Sequence, residues 1–435
     1  MLSGNIIGYG INLITLPLIS RIYTQSELGG YDLIISSASI FLTILQLSMM
    51  LVIMIPKEDE EAVIISKIIW YVTVAGSVSS VIVLLMVRSG FQLFYGITPY
   101  SFGIVLFGCY LIWYNLQNIY YAFTNRKKLY AVLFWNPILM AGVNGILSIG
   151  LGLMGGGTVG YLIGTITSYI IAVFHMKRYV CPLSGRVSCQ AMKKALIQYR
   201  EYPLIQLPAA LVSGIALQIP AQFLGRTFSA AVLGGYTMAC KILTVPVSLL
   251  AAPINRVYYR TLVEQLDEKG KAGEFAFSLL KNNVLIASIP IGVLMIFGDW
   301  ITGFVLGRNW TVSGTYILIM GMMYLLKYCS ACMSGTFVAA GKQKISFGFS
   351  VFTLLLFGFW GSLAGRLGLG VTEAIIFYSV CASLQELLNL LLCMYCLNVS
   401  IRKYFGFVLK YIVGSSAIIY LLYGVRRWCE WRYLI

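Results

Sequence analysis

Apolar runs, broken by short polar stretches, follow one another along the whole chain. They are continuous rather than alternating, which favours helices over half-buried strands. Many reach about 20 residues, the length a helix needs to cross a bilayer. Lipid offers the backbone no outside partner, so spanning segments are helices or closed barrels. The pattern predicts twelve spans, at 2–20, 28–55, 62–87, 100–123, 130–153, 157–175, 203–224, 229–253, 280–303, 312–339, 346–365 and 372–397. A shorter run at 407–424 is either a thirteenth span or a helix lying in the interface. A charged helical segment is expected over 255–274. The fold class that follows is an all-α, polytopic membrane protein.

Polar positions inside the runs repeat. Arg21 to Tyr31 reads R-I-Y-T-Q-S-E-L-G-G-Y, and Arg226 to Tyr236 reads R-T-F-S-A-A-V-L-G-G-Y, at a constant offset of 205. At the same offset Asp32, Ser36, Ser39 and Thr43 align with Thr237, Lys241, Thr244 and Ser248. Each set falls at i, i+4, i+7 and i+11, one face of a helix. The chain therefore reads as two homologous six-helix halves. An even number of spans separates the copies and keeps their orientation. The halves are expected to be parallel repeats about an axis along the membrane normal, with cargo between them. The expected organisation is a first lobe at 1–176, a basic linker at 177–202, a second lobe at 203–398 and a C-terminal segment at 399–435.

Composition agrees: 59% hydrophobic residues, 11% charged and a mean hydropathy of +0.85 exclude a soluble chain. The net charge of +16 could suggest nucleic acid, but its distribution argues otherwise, and no nucleic-acid partner is expected. With the first residue on the cytoplasmic side, the cations crowd into the inner loops. The outer loops keep only Arg21, Arg88, Arg226, Arg308 and Arg366, as the positive-inside rule requires. A crossing at 407–424 would put the C-terminal arginines outside, which counts against it. Leu2–Ser20 lacks a basic leader and an A-x-A cleavage site, so it reads as a retained first span.

Ten cysteines include two C-x-x-C pairs, Cys329/Cys332 and Cys393/Cys396. With a single histidine in the chain, packing is a better account than a metal or redox site. There is no Walker A, H-E-x-x-H or G-x-S-x-G motif, and the outer loops are short. Neither an enzyme nor a resident metal or cofactor is expected.

A charge within a span costs at least ~2.5–3.5 kcal/mol on insertion scales, so the charged residues there carry weight. Lys241 shares its stripe with Thr237, Thr244 and Ser248. Lys327 shares a face with Tyr316 and Tyr324, and Glu386 with Ser379 and Asn389. One reading pairs Lys241 or Lys327 with Glu386 across helices. The other is a hydrated, cationic cavity suited to a diphosphate, which lysine and arginine bind. Asp32 and Glu386 are the candidates for coupling to a proton or sodium ion. In the first half, Asn5, Tyr9 and Asn12 share a face, as do Tyr110, Tyr114, Gln117 and Tyr121, with Asn115 and Asn118 beside them. Such groups contact sugars, and they also hold membrane helices together.

Several of these stretches resemble the bacterial oligosaccharide-lipid flippases of polysaccharide export, in the superfamily that also holds multidrug extruders. The opening L-P-L-I-S-R-I-Y-T-Q-S-E-L-G is similar to that family's first span and loop. Pro56-Lys57-Glu58-Asp59-Glu60-Glu61-Ala62 resembles its acidic loop after span two, and Tyr199-Arg200-Glu201-Tyr202-Pro203 its approach to span seven. Lys241-Ile242-Leu243-Thr244-Val245-Pro246 is similar to a segment that usually has arginine first. Phe304 to Trp310 resembles its F-G-x-x-W loop. The resemblance implies a V-shaped, two-lobed transporter that moves undecaprenyl-diphosphate-linked oligosaccharide to the outer leaflet of the cytoplasmic membrane by alternating access. The partners it implies are that lipid-linked cargo and membrane lipids, with a polysaccharide polymerase and glycosyltransferases as protein partners. Substrate contacts are then expected from Lys241, Lys327, Thr237, Thr244, Ser248, Ser36, Asn12, Tyr114 and Asn118. The alternatives are a cation-coupled multidrug extruder and a flippase for a lipid-linked peptidoglycan precursor. The extruder fits less well, because buried lysines repel cationic drugs.

Overall fold

The computed structural model describes residues 2–86, 100–266 and 270–434. The end of the expected third span, at 87, and Arg88 lie outside them. Helices run in the order α1 (Leu2–Ile22), α2 (Gln25–Leu45), α3 (Asp59–Met86), α4 (Tyr100–Arg126), α5 (Tyr130–Leu153), α6 (Gly157–Lys177), α7 (Cys189–Gln198), α8 (Leu207–Thr227) and α9 (Ala230–Gln265). There follow α10 (Lys271–Ile301), α11 (Thr311–Cys332), α12 (Thr336–Ala339), α13 (Gln343–Arg366), α14 (Val371–Cys396), α15 (Ile401–Phe407) and α16 (Gly414–Leu434). Among the described residues thirteen helical segments are long and apolar enough to cross a membrane. The residues form two compact units, Met1–Gly234 and Gly235–Ile435.

The repeat is first of all a signal for starting a helix. Thr24 Oγ1 accepts from the Glu27 amide (3.3 Å), and Glu27 Oε2 accepts from the Thr24 amide (2.7 Å), a capping box at the head of α2. At the equivalent place Ser229 Oγ accepts from the Val232 amide (3.2 Å) at the head of α9. Within the first unit the two copies also meet. A Cβ on Gly29 would run into the Ala230 carbonyl oxygen, and one on Gly234 into the Gln25 carbonyl oxygen. Gln25 and Ala230 are themselves related by the offset of 205, so the crossing reads the same from either helix. Small residues let two membrane helices approach backbone to backbone, where dispersion and not hydrophobicity must hold them.

The expected second span, 28–55, ends early. α2 stops at Leu45, Leu47 and Ser48 have positive φ (51° and 55°), and a short 3-10 turn follows at Leu51–Met54. Apolar composition alone could not register this break. It leaves Gln46 free to donate from Nε2 to Asn115 Oδ1 (3.0 Å), while Asn115 Nδ2 donates to Thr73 Oγ1 (2.9 Å). One buried amide on α4 thus ties together the end of α2 and the middle of α3. Asn115→Leu should lower stability by ~1–2 kcal/mol, since the Gln46 amide loses its acceptor in apolar surroundings, while Thr73 keeps its bond to the Ile69 carbonyl. A thermal-unfolding scan of the purified protein in detergent would register the loss as a lower midpoint.

Two segments beyond the expected first lobe pack against its helices. α8 falls in the expected second lobe (203–398), yet it packs in the first unit against α2. Gln222 Nε2 donates to the hydroxyls of Ser36 (2.6 Å) and Ser37 (2.8 Å). The basic linker at 177–202 is docked on α3. Glu61 Oε1 accepts from Gln198 Nε2 (2.9 Å) and from the Tyr199 hydroxyl (3.0 Å), and the buried Lys67 ammonium donates to the Gly185 carbonyl. The charged segment expected at 255–274 is largely the continuation of α9, unbroken through Pro246 and Pro253 to Gln265.

In the second unit the C-terminal run corrects the charge-based expectation. α15, a π turn at Val408–Val413 and α16 form one continuous helical segment alongside α10. Near its start, Lys403 Nζ lies 4.7 Å from the centre of the Phe277 ring, and Tyr411 takes Lys281 at 5.3 Å. Near its end, Arg426 pairs with Asp299 at 2.7 Å. Its contacts therefore move from one end of α10 to the other, which gives 401–430 the reach of a full crossing. Two of the arginines that argued against it are paired: Arg426 and Arg427 share Asp299 and Glu430. Among the described residues no group of three or more His, Cys, Asp or Glu side chains could hold a metal ion. Cys329, Cys332, Cys381 and Cys393 are buried free thiols.

Candidate functional site

In the first unit five helices surround a cavity of about 470 Å3. α1 brings Asn5, Tyr9 and Asn12, α2 brings Tyr31, and α4 brings Gln117, Asn118 and Tyr121. From α5 come Asn136, Met140 and Asn144, and from α6 Thr165, Ser168 and Tyr169. None of the described lining residues carries a formal charge. Amides, phenols and hydroxyls make up most of the wall, with Gly8, Pro137, Met140 and Ala141 among them.

Packing explains why these helices stand so close and yet leave a space. α1 lies along α5 through Gly4 and Gly8, where a Cβ would press on the Phe134 and Pro137 backbone. Pro137 cannot donate a backbone hydrogen bond within α5. Polar atoms on the deeper wall are held by one another. Gln117 Nε2 donates to Asn136 Oδ1 (3.3 Å), and Asn136 Nδ2 donates to the Ala172 carbonyl (3.3 Å). Asn144 Oδ1 accepts from the Ser148 hydroxyl (3.1 Å) and lies 3.3 Å from Thr165 Oγ1, which is 3.2 Å from the Tyr31 hydroxyl. A fixed polar network of this kind orients its remaining donors and acceptors toward the open space.

An aromatic wall backs the network. Tyr31 meets Tyr161 edge to face at 4.4 Å, Tyr114 meets Tyr169 at 5.4 Å, and Tyr110 stacks on Tyr114 at 5.8 Å. Of the residues expected to touch cargo, Asn12 and Asn118 line the cavity and Tyr114 stands directly behind it. Ser36 is elsewhere: it is buried, donates to the Leu33 carbonyl (2.9 Å) and lies within reach of Gln222. Asp32 is half-buried on α2 and does not line the cavity. Asn136, Asn144, Thr165, Ser168 and Tyr169 were not picked out from the sequence. Their spacing, i and i+8 on α5 and i, i+3, i+4 on α6, is the one signal that could have found them.

The second-unit candidates gather differently. Lys241 and Thr237 are half-buried on α9, with Thr244 exposed and Ser248 half-buried and donating to the Val245 carbonyl (3.0 Å). Thr244 lies near the Tyr324 hydroxyl. Lys327 is exposed, and its ammonium lies 5.0 Å from the centre of the Tyr324 ring, a cation–π contact. Its charge also reaches Glu386 on α14. Thr244, Tyr324, Lys327 and Glu386 are thus neighbours across α9, α11 and α14. Most of the polar-stripe hydroxyls serve their own helix: Ser39 donates to the Ile35 carbonyl and Thr43 to the Ser39 carbonyl, each at 2.9 Å.

Comparison with known proteins places these features in a family setting. A profile of the family described as "Polysaccharide biosynthesis protein" matches residues 18–315. The teichuronic acid biosynthesis protein TuaB of Bacillus subtilis is 22% identical over 233 residues, covering 53% of this chain. That alignment spans only 48%, about half, of the relative's own length. The fold is similar to the lipid II flippase MurJ in an inward closed conformation, at a TM-score of 0.72 and 12% identity over 99% of this chain and 98% of that one. It is also similar to an inward-facing multidrug resistance MATE family transporter, at a TM-score of 0.66 and 15% identity over 92% and 96%.

Proposed function

Because the chain belongs to the family of polysaccharide biosynthesis proteins, we propose that it is a multi-pass membrane transporter of the multidrug/oligosaccharidyl-lipid/polysaccharide exporter superfamily and flips a lipid-linked oligosaccharide. The cargo is an undecaprenyl-diphosphate-linked repeat unit, moved across the bacterial cytoplasmic membrane by alternating access with the first residue of the chain on the cytoplasmic side.

One observation carries this reading: the first-unit cavity is walled mostly by amides, phenols and hydroxyls, with no formal charge among its described lining residues. Sugar hydroxyls are neutral, both donate and accept, and present flat apolar faces. Asparagine and glutamine answer the first property and tyrosine rings the second. A lipophilic cation would gain from a carboxylate, and none stands among the described lining residues; the tyrosine rings alone would serve either cargo. The diphosphate calls for positive charge, and the half-buried Lys241 and the exposed Lys327 of the second unit can supply it. Asp32 and Glu386 remain the groups proposed to couple transport to a proton or sodium gradient. Peptidoglycan precursors share the lipid diphosphate, so they are the competing cargo.

The test is translocation in proteoliposomes containing the purified chain. Undecaprenyl-diphosphate oligosaccharide loaded on one face should become accessible to a glycosidase on the other only when protein is present. A chain that moves tetraphenylphosphonium and leaves the glycolipid in place would be an extruder. One that moves only the peptidoglycan precursor would overturn the cargo assignment.

A further inference from the structure

A second cavity of about 450 Å3 opens at the opposite end of α4 from its first residue, where α4 ends, α5 begins and the loop before α3 passes. Lys57, Asp59, Asn125, Arg126, Lys128 and Tyr130 line it. We propose that it is a binding site for a phosphate or diphosphate ester, the chemistry common to the head of a lipid-diphosphate cargo and to an anionic phospholipid.

Some of the charges here are already spent. Arg126 is nearly buried, with a side chain 9% exposed. Its guanidinium donates to Asp59 Oδ1 (3.0 Å) and to the carbonyls of Ile53 (3.3 Å), Pro56 and Lys57 (3.0 Å). It is the staple that shapes the wall and has little left for a ligand. Asp59 is the one carboxylate in the lining, and it takes Lys127 as well as Arg126. The acid is therefore more than balanced before any ligand arrives.

Two ammonium groups are left over. Lys57 and Lys128 are exposed, and neither side chain forms an ion pair or hydrogen bond among the described residues. Lys128 sits at φ 55°, a left-handed conformation that glycine or asparagine adopts at lower cost. The turn alone would favour either of those, and lysine adds a cation at the rim. Asn125 Nδ2 has only the Met54 sulfur at 3.6 Å as acceptor, a weak partner that an oxygen ligand would displace. The Tyr130 phenol adds another donor. Lys57, Lys128, Asn125 and Tyr130 thus offer donors around one space, with a surplus of positive charge. Glu58 and Glu60 flank the loop on the chain but do not line the cavity. Their presence favours a compact anion seated inside over an acidic surface held at a distance.

The site concerns the first unit alone and does not depend on what the chain transports. Inorganic pyrophosphate titrated into the full chain in neutral detergent, followed calorimetrically, should bind, and binding should weaken with salt. Lys57→Gln with Lys128→Gln should weaken it roughly tenfold or more, as expected when charge-assisted hydrogen bonds are removed. Both positions are exposed, so the thermal midpoint should hold. Native mass spectrometry then separates the sources. Preferential retention of undecaprenyl diphosphate over phosphatidylglycerol, lost in the double variant, supports a cargo-head subsite. The reverse preference, lost in the same way, supports a membrane-lipid site. Absence of pyrophosphate binding, or binding unchanged in the double variant, overturns the proposal even if glycolipid transport proceeds.

Discussion

Gly29→Ala and Gly234→Ala should each sharply lower the folded fraction, and Gly142→Ala should not. At Gly29 the added carbon meets the Ala230 carbonyl oxygen, and at Gly234 the Gln25 carbonyl oxygen, while at Gly142 nothing lies within 4 Å. A backbone oxygen cannot rotate away as a side chain can, so the two helices must separate. Overpacking in a well-filled interior costs ~1–3 kcal/mol, and a backbone collision belongs at the upper end of that range. At an open helical position the same change gains up to ~1 kcal/mol from helix propensity. The three variants should therefore diverge in sign. Thermal unfolding of detergent-purified protein, monitored by size-exclusion chromatography after heating, would display it. Equal midpoints for Gly29→Ala and Gly142→Ala would mean that the crossing is looser than its geometry.

That crossing also illustrates what could be read from the chain. The repeat at offset 205 was visible because Gly29, Gly30 and Tyr31 recur as Gly234, Gly235 and Tyr236. Its meaning was not, since a sequence does not say that the two copies touch each other. The helical class, the spans and the family resemblance were all legible, because lipid enforces long apolar helices and leaves few alternatives. The break after Leu45 was hidden: residues 46–55 are mostly apolar, and the positive φ of Leu47 and Ser48 has no glycine to announce it.

The candidate site was legible in part for a related reason. Charged residues in a span stand out, so Lys241, Lys327, Asp32 and Glu386 drew attention first. Neutral amides such as Asn136 and Asn144 do not, although they build the first-unit cavity. Ser36, expected to touch cargo, and Ser39 and Thr43 on the same polar face are largely satisfied by their own helix. Whether a polar side chain faces a cavity or a carbonyl one turn back depends on packing that its spacing does not contain.

The largest functional effect should come from Asn12→Trp. Asn12 is exposed on α1 and lines the first-unit cavity, so an indole there projects into open space and displaces no packed neighbour. The indole is the bulkiest side chain available and would take up part of a space of about 470 Å3 that the cargo's sugar needs. Glycolipid translocation should fall at least ~tenfold, corresponding to ~1.4 kcal/mol or more, with membrane abundance and thermal midpoint little changed. Asn12→Gln keeps the amide and should retain most of the activity. Asn12→Asp separates steric from electrostatic demands: it is nearly the same size but adds a negative charge to a wall with none among its described residues. If the cavity holds neutral sugar, Asn12→Asp should reduce transport less than the indole does, and more at pH 8 than at pH 4, where its carboxyl is partly protonated. Full transport by Asn12→Trp would mean that the cargo's sugar never enters this cavity, and the amides would then be helix glue alone.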